Sequence, residues 1–397
     1  MLRSLPRPSH TVGMAEPRSF DVVLLGATGF TGALTAEYLA RRMPEGGRWA
    51  IAGRNREKLE ALRARLGLPA QLLEADVTDR ASLRKLAESA KVVISTVGPY
   101  LEHGEPLVAA CAEAGTDYVD LCGEAEFFDL VYLRHHETAA RTGARIVHAC
   151  GFDSVPHDLG VFYTVKQLPE GVPLRISGAV RTNATFSGGT YASALGVFSR
   201  LVPMVRTARE RVRAEGQPAG RRVRTNPGLP HRDPGTGRWL APLPTIDPQV
   251  VGRSARLLDS YGPDFQYQHY VSFKRLPTLV GAAAGAGALV AATQLPPVRK
   301  ALSGVRKQGS GPSEEQRARS WFKVRFTGEG GGKRVVTEVA GGDPGYDETA
   351  KMLGESALAL AFDPLPPTAG QVTPAAAMGD ALLGRLVDAG MVFRVVA

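Results

Sequence analysis

The sequence predicts an α/β protein: a Rossmann-type doubly wound parallel sheet at the N-terminus, followed by a second, mixed α/β domain. Three observations carry this. Strand and helix patterns alternate with short connections over the first 150 residues, a glycine-rich turn joins the first strand to the first helix, and the patterning changes to two-faced strands beyond residue 156.

Taken in order, Phe20 to Leu25 is an apolar run broken only by Asp21, the length of a strand buried on both faces. Thr31 to Arg42 has the helical period, Trp49 to Ala52 makes a second strand and Arg56 to Leu66 a second helix. Gln71 to Ala75, Val92 to Val97, Tyr118 to Leu121 and Arg145 to Ala149 supply four more strands. Helices at Arg80 to Ser89, Pro106 to Ala114 and Glu124 to Thr142 separate them, and right-handed crossovers between parallel strands follow from such alternation. Residues 20–155 are therefore the first domain and 1–19 an extension, disordered or left by an upstream start ahead of Met14.

Residues 156–344 read as the second domain, the candidate surface for substrate and for dimerisation. Leu174 to Thr182 and Phe265 to Phe273 alternate with period two, and Trp321 to Thr327 and Val335 to Ala340 flank a glycine-rich connection that reads as a hairpin with a mobile loop. Residues 214–248, rich in Gly, Pro and Arg, read as a long surface excursion and candidate lid. In the last segment, 345–397, Asp347 to Ala361 and Ala375 to Ala389 are helices returning to the first domain, and Met391 to Val396 is a candidate last strand.

Composition bounds the function classes. Apolar residues make up 44% and charged residues 22% of 397, at a mean hydropathy of −0.10, which excludes a disordered chain and a polytopic membrane protein. Three cysteines, Cys111, Cys122 and Cys150, form no paired framework and no metal-binding spacing; the expectation is a reduced, cytoplasmic setting and no metal. The net charge of +9 is concentrated between Arg200 and Arg224, without the aromatic interleaving or finger motifs of a nucleic-acid surface. That stretch reads as a solvated helix end or as a docking face for an acidic partner. Thr278 to Leu295 is uncharged and rich in Ala and Gly; it reads as a tightly packed interior or interface helix, with peripheral membrane or lipid contact and a membrane-spanning helix as the alternatives.

The chemistry begins at Gly26-Ala27-Thr28-Gly29-Phe30-Thr31-Gly32, between the first strand and first helix. A diphosphate needs close backbone N–H groups and no side chains in its way: Gly26 serves the tight turn, Gly29 the close approach and Gly32 the packing of helix on strand. The spacing GxxGxxG is a variant of the dinucleotide fingerprint. At the end of the second strand Arg54, 22 residues past Gly32, stands where an NAD site places an acid, so a guanidinium for a 2′-phosphate is expected and NADP is the cofactor. Asp76 and Val77 fall where the adenine edge would lie, with a turn role as the bland reading of Asp76. Thr96-Val97-Gly98-Pro99 ends the fourth strand beside the path of the nicotinamide ribose.

These motifs, Gly26-Ala-Thr-Gly-Phe-Thr-Gly32, Ala52-Gly-Arg-Asn55, Ser95-Thr-Val-Gly-Pro-Tyr100 and Gly151-Phe-Asp-Ser-Val-Pro-His-Asp-Leu-Gly160, resemble in that order the saccharopine dehydrogenase-like oxidoreductases. Ser187 to Ser193, Gly345 to Met352 and Thr373 to Gly379 resemble in particular the trans-acting enoyl reductase branch, and the likeness covers residues 20–397. The Gly151-Phe-Asp-Ser-Val-Pro156 turn departs from that of true saccharopine-forming enzymes. The resemblance implies hydride transfer from NADPH to the C=C bond of a small or carrier-bound acyl or polyketide substrate, with an acidic acyl carrier as partner. An imine or carbonyl reductase and a non-catalytic NADP-binding sensor are the alternatives. Candidates for the chemistry lie at strand ends: Tyr100 as oxyanion donor or packed aromatic, and His157 as proton source or exposed first-turn residue. Asp153 and Ser154 are candidate helix caps or substrate contacts.

Overall fold

The computed structural model describes residues 18–184, 200–293 and 311–397. The first 17 residues, the Ser187–Ser193 motif and the end of the apolar stretch at Leu295 lie outside the described residues.

The N-terminal third runs β1 (Phe20–Leu25), α1 (Phe30–Arg42), β2 (Trp49–Gly53), α2 (Arg56–Leu66), β3 (Gln71–Glu74), α3 (Arg80–Ser89), β4 (Ala90–Ser95), α4 (Tyr100–His103), α5 (Glu105–Ala114), β5 (Asp117–Asp120), α6 (Ala125–Thr142) and β6 (Arg145–Val147). Local chemistry sets the boundaries. Asn55 and Asp79 accept the N–H groups of Lys58 and Ala81 at the starts of α2 and α3, and Gly67, Gly115 and Gly143 end their helices with positive φ. β1 and β4 are buried almost throughout, as a strand covered on both faces must be.

The chain continues with α7 (Val155–Val165), β7 (Leu174–Thr182), α8 (Leu201–Glu215), β8 (Arg222–Thr225), β9 (His231–Arg232), β10 (Trp239–Pro242), α9 (Asp247–Leu257), β11 (Asp264–Phe273), α10 (Leu276–Thr293) and α11 (Glu314–Ala318). It closes with β12 (Phe322–Gly330), β13 (Lys333–Gly341), α12 (Asp347–Phe362), β14 (Gly370–Val372), α13 (Pro374–Asp388) and β15 (Val392–Val395).

Two sheets result. The first is seven-stranded and parallel, ordered β14-β6-β5-β4-β1-β2-β3, so the strand order reverses between β1 and β4. That reversal opens the crevice at the carboxyl ends of the strands where α/β proteins bind ligands. The second is eight-stranded and mixed, ordered β15-β13-β12-β7-β11-β10-β9, with β8 beside β11. The inward residues Phe322, Val324 and Phe326 of β12 are fully buried, and Gly160 on α7 sits so close that a Cβ there would lie 2.2 Å from the Phe326 ring. Helix α7 thus leaves the first sheet and packs on the second, and one apolar core runs through both.

Three expectations need correcting. The surface excursion expected at residues 214–248 carries β8, β9 and β10, which pair into the second sheet and so make it part of that sheet rather than a free lid. The hairpin connection is a two-residue turn at Gly331 and Gly332, both at positive φ, rather than a mobile loop. The last segment divides: α12 and β14 complete the first domain, whereas β15 pairs with β13 in the second sheet.

Candidate active site

The turn after β1 is built around bare backbone. Gly26 has a φ of +89°, and a Cβ there would stand 2.7 Å from Thr96 Oγ1 and 2.8 Å from Val97. At Gly32 a Cβ would lie 2.2 Å from the Gly26 carbonyl oxygen, so α1 touches the turn directly. Gly29, by contrast, is exposed, and a Cβ there would find only the Gly26 carbonyl, at 3.4 Å. Gly29 is also the N-cap of α1 and no side chain caps that helix, so its first N–H groups and dipole face the crevice. Two glycines lock the turn and the third leaves it open to a ligand: a cradle that fits a diphosphate. Ala27 is buried beneath it and Thr28 exposed at its rim, with Phe30 and Thr31 half-buried in the first turn.

Arg54 stands exposed at the end of β2, free of the first sheet's core. Asp76 closes its own turn, accepting from Thr78 N at 2.9 Å and Thr78 Oγ1 at 2.8 Å, which holds its carboxyl below the usual range; Val77 beside it is half-buried. Thr96, Val97, Gly98 and Pro99 line the end of β4, with Gly98 exposed.

Tyr100 is fixed by the main chain. It is buried; its hydroxyl donates to the Ser95 carbonyl at 3.0 Å and accepts from Leu121 N at 3.1 Å, tying the ends of β4 and β5 together. Burial pushes its hydroxyl well above the usual tyrosine value, and with the hydroxyl engaged by the Ser95 carbonyl and Leu121 N it stands as a structural tie between strand ends. Buried His148 is held by Asp120 at 2.7 Å, and the three cysteines are buried thiols whose pKa values burial raises.

His157 is not an exposed first-turn residue: only 1% of it is accessible. It lies on α7 against two residues that no sequence spacing links to it, Asp247 on α9 and His269 on β11. Asp247 Oδ1 stands 2.7 Å from His157 Nδ1, Asp247 Oδ2 stands 3.6 Å from His269 Nε2, and the two imidazoles meet edge to face at 4.8 Å. The donor atoms all lie within 4.8 Å of one another, the makings of a divalent-metal site. Two ligands of one zinc, at bonds of 2.0–2.1 Å and tetrahedral angles, would be about 3.3 Å apart. The His157–Asp247 separation is instead that of a charge-assisted contact, and the group is better described as a buried ion pair with a neutral second histidine. Burial pulls the His157 pKa down, but Asp247, Asp153 and the Phe152 carbonyl outweigh it and hold the ring above its usual value. Asp247, for which burial works in the other direction, is drawn down to about 2 by His157, His269 and the Thr245 hydroxyl, while burial drops His269 to about 3.

At the rim of this group lies Asp153, at the carboxyl edge of the first sheet and only partly buried. Its Oδ2 is 3.2 Å from where a Cβ on Gly123 would be, so that glycine leaves room for the carboxyl. Burial and then the Asp247 charge push the Asp153 carboxyl up to about 7. Neither Asp153 nor Ser154 acts as a helix cap by side chain: Ser154 is the N-cap of α7 and makes no capping bond. Deeper along α7, Asp158 accepts from Ser254 Oγ at 2.5 Å and Ala375 N at 2.8 Å, joining α9 and α13, and burial holds it at about 7 too.

Much of the Arg-rich stretch is ion-paired, with Arg211 alone buried among its described residues. Arg200 pairs with Glu126 at 2.7 Å, Arg211 is buried between Glu215 at 2.9 Å and Asp129 at 3.5 Å, and Arg224 meets Asp264 at 2.8 Å. Arg206 and Arg221 reach Glu210 and Asp259, both at 3.0 Å. Among its described residues Arg200, Arg206, Arg209, Arg213 and Arg222 are all exposed.

The buried carboxyls make stability depend on pH. Asp129, Asp153 and Asp158, all near 7 when folded, titrate near 3.9 when unfolded. A carboxyl raised on folding contributes full stability below its unfolded value and loses it as pH climbs through the folded one. His269, depressed to about 3, works the other way below pH 6.5. His136, whose pKa burial lowers, works with His269, but three carboxyls outweigh two imidazoles, so stability falls as pH rises from 5 to 7. Thermal unfolding should give a Tm several degrees higher at pH 5 than at pH 8; a flat or rising profile would show that these carboxyls are charged in the fold.

A diphosphate cradle at the switch point of a 3-2-1-4-5-6 sheet, with titratable groups along the same edge, places the protein among the NAD(P)-dependent oxidoreductases. Comparison with known proteins narrows the class. The family model described as the saccharopine dehydrogenase NADP binding domain matches residues 22–147. A Mycobacterium tuberculosis relative, provisionally named a trans-acting enoyl reductase, is 40% identical over 422 residues, spanning 95% of this chain and 97% of its own. The trans-acting enoyl reductase of Mycobacterium ulcerans is 37% identical over 413 residues, spanning 94% and 97%. Saccharopine dehydrogenase (L-Glu forming) from Saccharomyces cerevisiae superposes with a TM-score of 0.55 at 13% identity, covering 95% of this chain and all of its own, a likeness of fold. The chain belongs to the trans-acting enoyl reductase branch of the saccharopine dehydrogenase-like oxidoreductases.

Proposed function

We propose that the protein reduces the carbon–carbon double bond of an α,β-unsaturated acyl thioester, with NADPH as reductant and Asp153 as proton donor. The observation that supports this reading is geometric: a bare-backbone diphosphate cradle at the switch point of the parallel sheet, and the partly exposed Asp153 carboxyl past the end of the sixth strand in the space that Gly123 leaves it. The names of the mycobacterial relatives support the substrate class.

The cradle residues Gly26, Gly29 and Gly32 would hold the diphosphate, and Arg54 the 2′-phosphate. When bound, NADPH supplies a hydride to the β-carbon of the conjugated thioester. The resulting enolate needs a proton at its α-carbon, and an acid with a pKa near the working pH transfers one efficiently. Asp153 meets that requirement because burial and Asp247 keep its carboxyl protonated to near neutrality. The His157–Asp247 pair beneath it is a positioning group: net-neutral and buried, it fixes the field around Asp153 without facing the crevice. After each turnover Asp153 regains its proton from water at the rim.

Turnover tests the reading: NADPH oxidation with an enoyl thioester, yielding the saturated product, supports it. Oxidation only with a 2-oxo acid and an amine would replace it with imine reduction. Cofactor choice is a separate check. Substituting Arg54→Ser removes a charge-assisted phosphate contact and should weaken NADPH binding roughly 10- to 100-fold while leaving NADH binding unchanged. Equal losses for both cofactors in calorimetry would remove Arg54 from the phosphate site.

A further inference from the structure

Helix α10 departs from the rule that apolar helices are covered. All its residues from Leu276 to Thr293 are uncharged, its mean hydropathy is 1.6, and only 11% of it is buried inside the protein. The expectation of a tightly packed interior helix is therefore wrong. From Leu276 to Ala288 every residue but Leu279 is exposed, including Val280, and the glycines Gly281, Gly285 and Gly287 have nothing within 4 Å of where a Cβ would be. Exposed apolar surface of this extent marks an interaction site.

The surroundings name the occupant. Exposed Lys274 and Arg275 immediately precede the helix, and Arg299, Lys300, Arg306 and Lys307 follow it in the sequence. Between Asp264 and Glu314 the chain contains no acidic residue at all. A docking stripe for one protein partner would be apolar on one side and polar on the other, whereas α10 is apolar on every side. Eighteen residues span about 27 Å, close to the roughly 30 Å of a hydrocarbon core. A cationic pair such as Lys274 and Arg275 at the mouth of such a segment is drawn to anionic headgroups.

We propose that α10 inserts into an anionic lipid bilayer and anchors the enzyme there, with Lys274 and Arg275 on the headgroups. This inference is independent of the reaction assigned above, and its test does not use that reaction. The full-length protein is mixed with phosphatidylcholine vesicles, with and without phosphatidylglycerol, and floated on a density gradient. It should float with the vesicles, more completely when phosphatidylglycerol is present. Ala284→Asp puts a charge at the exposed centre of the helix and should lower the bound fraction roughly 50-fold, while Ala284→Leu should raise it. Neither change touches the core, and thermal unfolding should be unchanged. Lys274→Glu with Arg275→Glu should weaken the preference for phosphatidylglycerol while leaving binding to phosphatidylcholine vesicles unchanged. Wild-type protein that stays in the soluble fraction with both vesicle types would overturn the proposal. So would a wild-type dimer that Ala284→Asp converts to monomer without any vesicle binding, because the helix then covers a second copy of itself.

Discussion

Asp153→Asn should reduce kcat with an enoyl thioester by about 100- to 1000-fold, the range lost when a positioned general acid is removed, while leaving NADPH affinity within about twofold. The amide keeps the size of the side chain and removes the transferable proton, so circular dichroism and the Tm should stay close to wild type. The pH profile carries the sharper information. Wild-type kcat should decline above about pH 7, as Asp153 loses the proton that burial and Asp247 retain. The residual rate of the variant should lack that decline. Equal kcat in the two proteins would move the proton donor elsewhere.

The second large effect separates the glycines. An alanine Cβ at Gly32 would lie 2.2 Å from the Gly26 carbonyl oxygen, backbone against backbone, so α1 must shift and the cradle open. Gly32→Ala should cost at least about 100-fold in NADPH affinity and lower the Tm, since neither partner can rotate away. At Gly29 the same Cβ meets nothing closer than 3.4 Å, so Gly29→Ala should leave the Tm nearly unchanged and weaken NADPH binding alone, by intruding on the diphosphate. Calorimetry and thermal unfolding on both variants distinguish the roles. Undiminished affinity in Gly29→Ala would mean that the diphosphate does not rest on that turn.

What could be read from the sequence was local. Most of the strands and helices of the first 150 residues follow from period and caps, because the first, second and fourth strands are largely apolar runs and several turns carry their own glycine or capping residue. The cradle was legible for the same reason: Gly26 to Gly32 are seven consecutive residues whose roles depend on one another. The proton chemistry was not. His157, Asp247 and His269 come from α7, α9 and β11, and only the packing of α7 on the second sheet brings them together. Sequence singled out His157 but gave no means of finding its partners, and it offered Tyr100 because a strand-end tyrosine cannot be told from a donor until its hydroxyl is seen bound to Ser95 and Leu121. Charge was legible in part: Arg200, Arg206, Arg209, Arg213 and Arg222 are exposed, as a solvated helix end requires. The ion pairs were not, because acidic partners such as Glu126, Asp129, Asp259 and Asp264 lie on other elements. Strand β14 escaped notice because three residues pairing with a strand more than 200 positions away leave no pattern of their own.

The most direct test of the account follows the label rather than the rate. Purified protein is incubated with 4-deuterated NADPH, both faces in turn, and an α,β-unsaturated acyl thioester in ordinary water, and the product is examined by NMR. The account predicts a saturated thioester carrying deuterium at the β-carbon from one of the two labelled cofactors and an unlabelled, solvent-derived hydrogen at the α-carbon, with both signals lost in Asp153→Asn on the timescale of wild-type turnover. Saturable NADPH binding with no label in the thioester under any condition would contradict it.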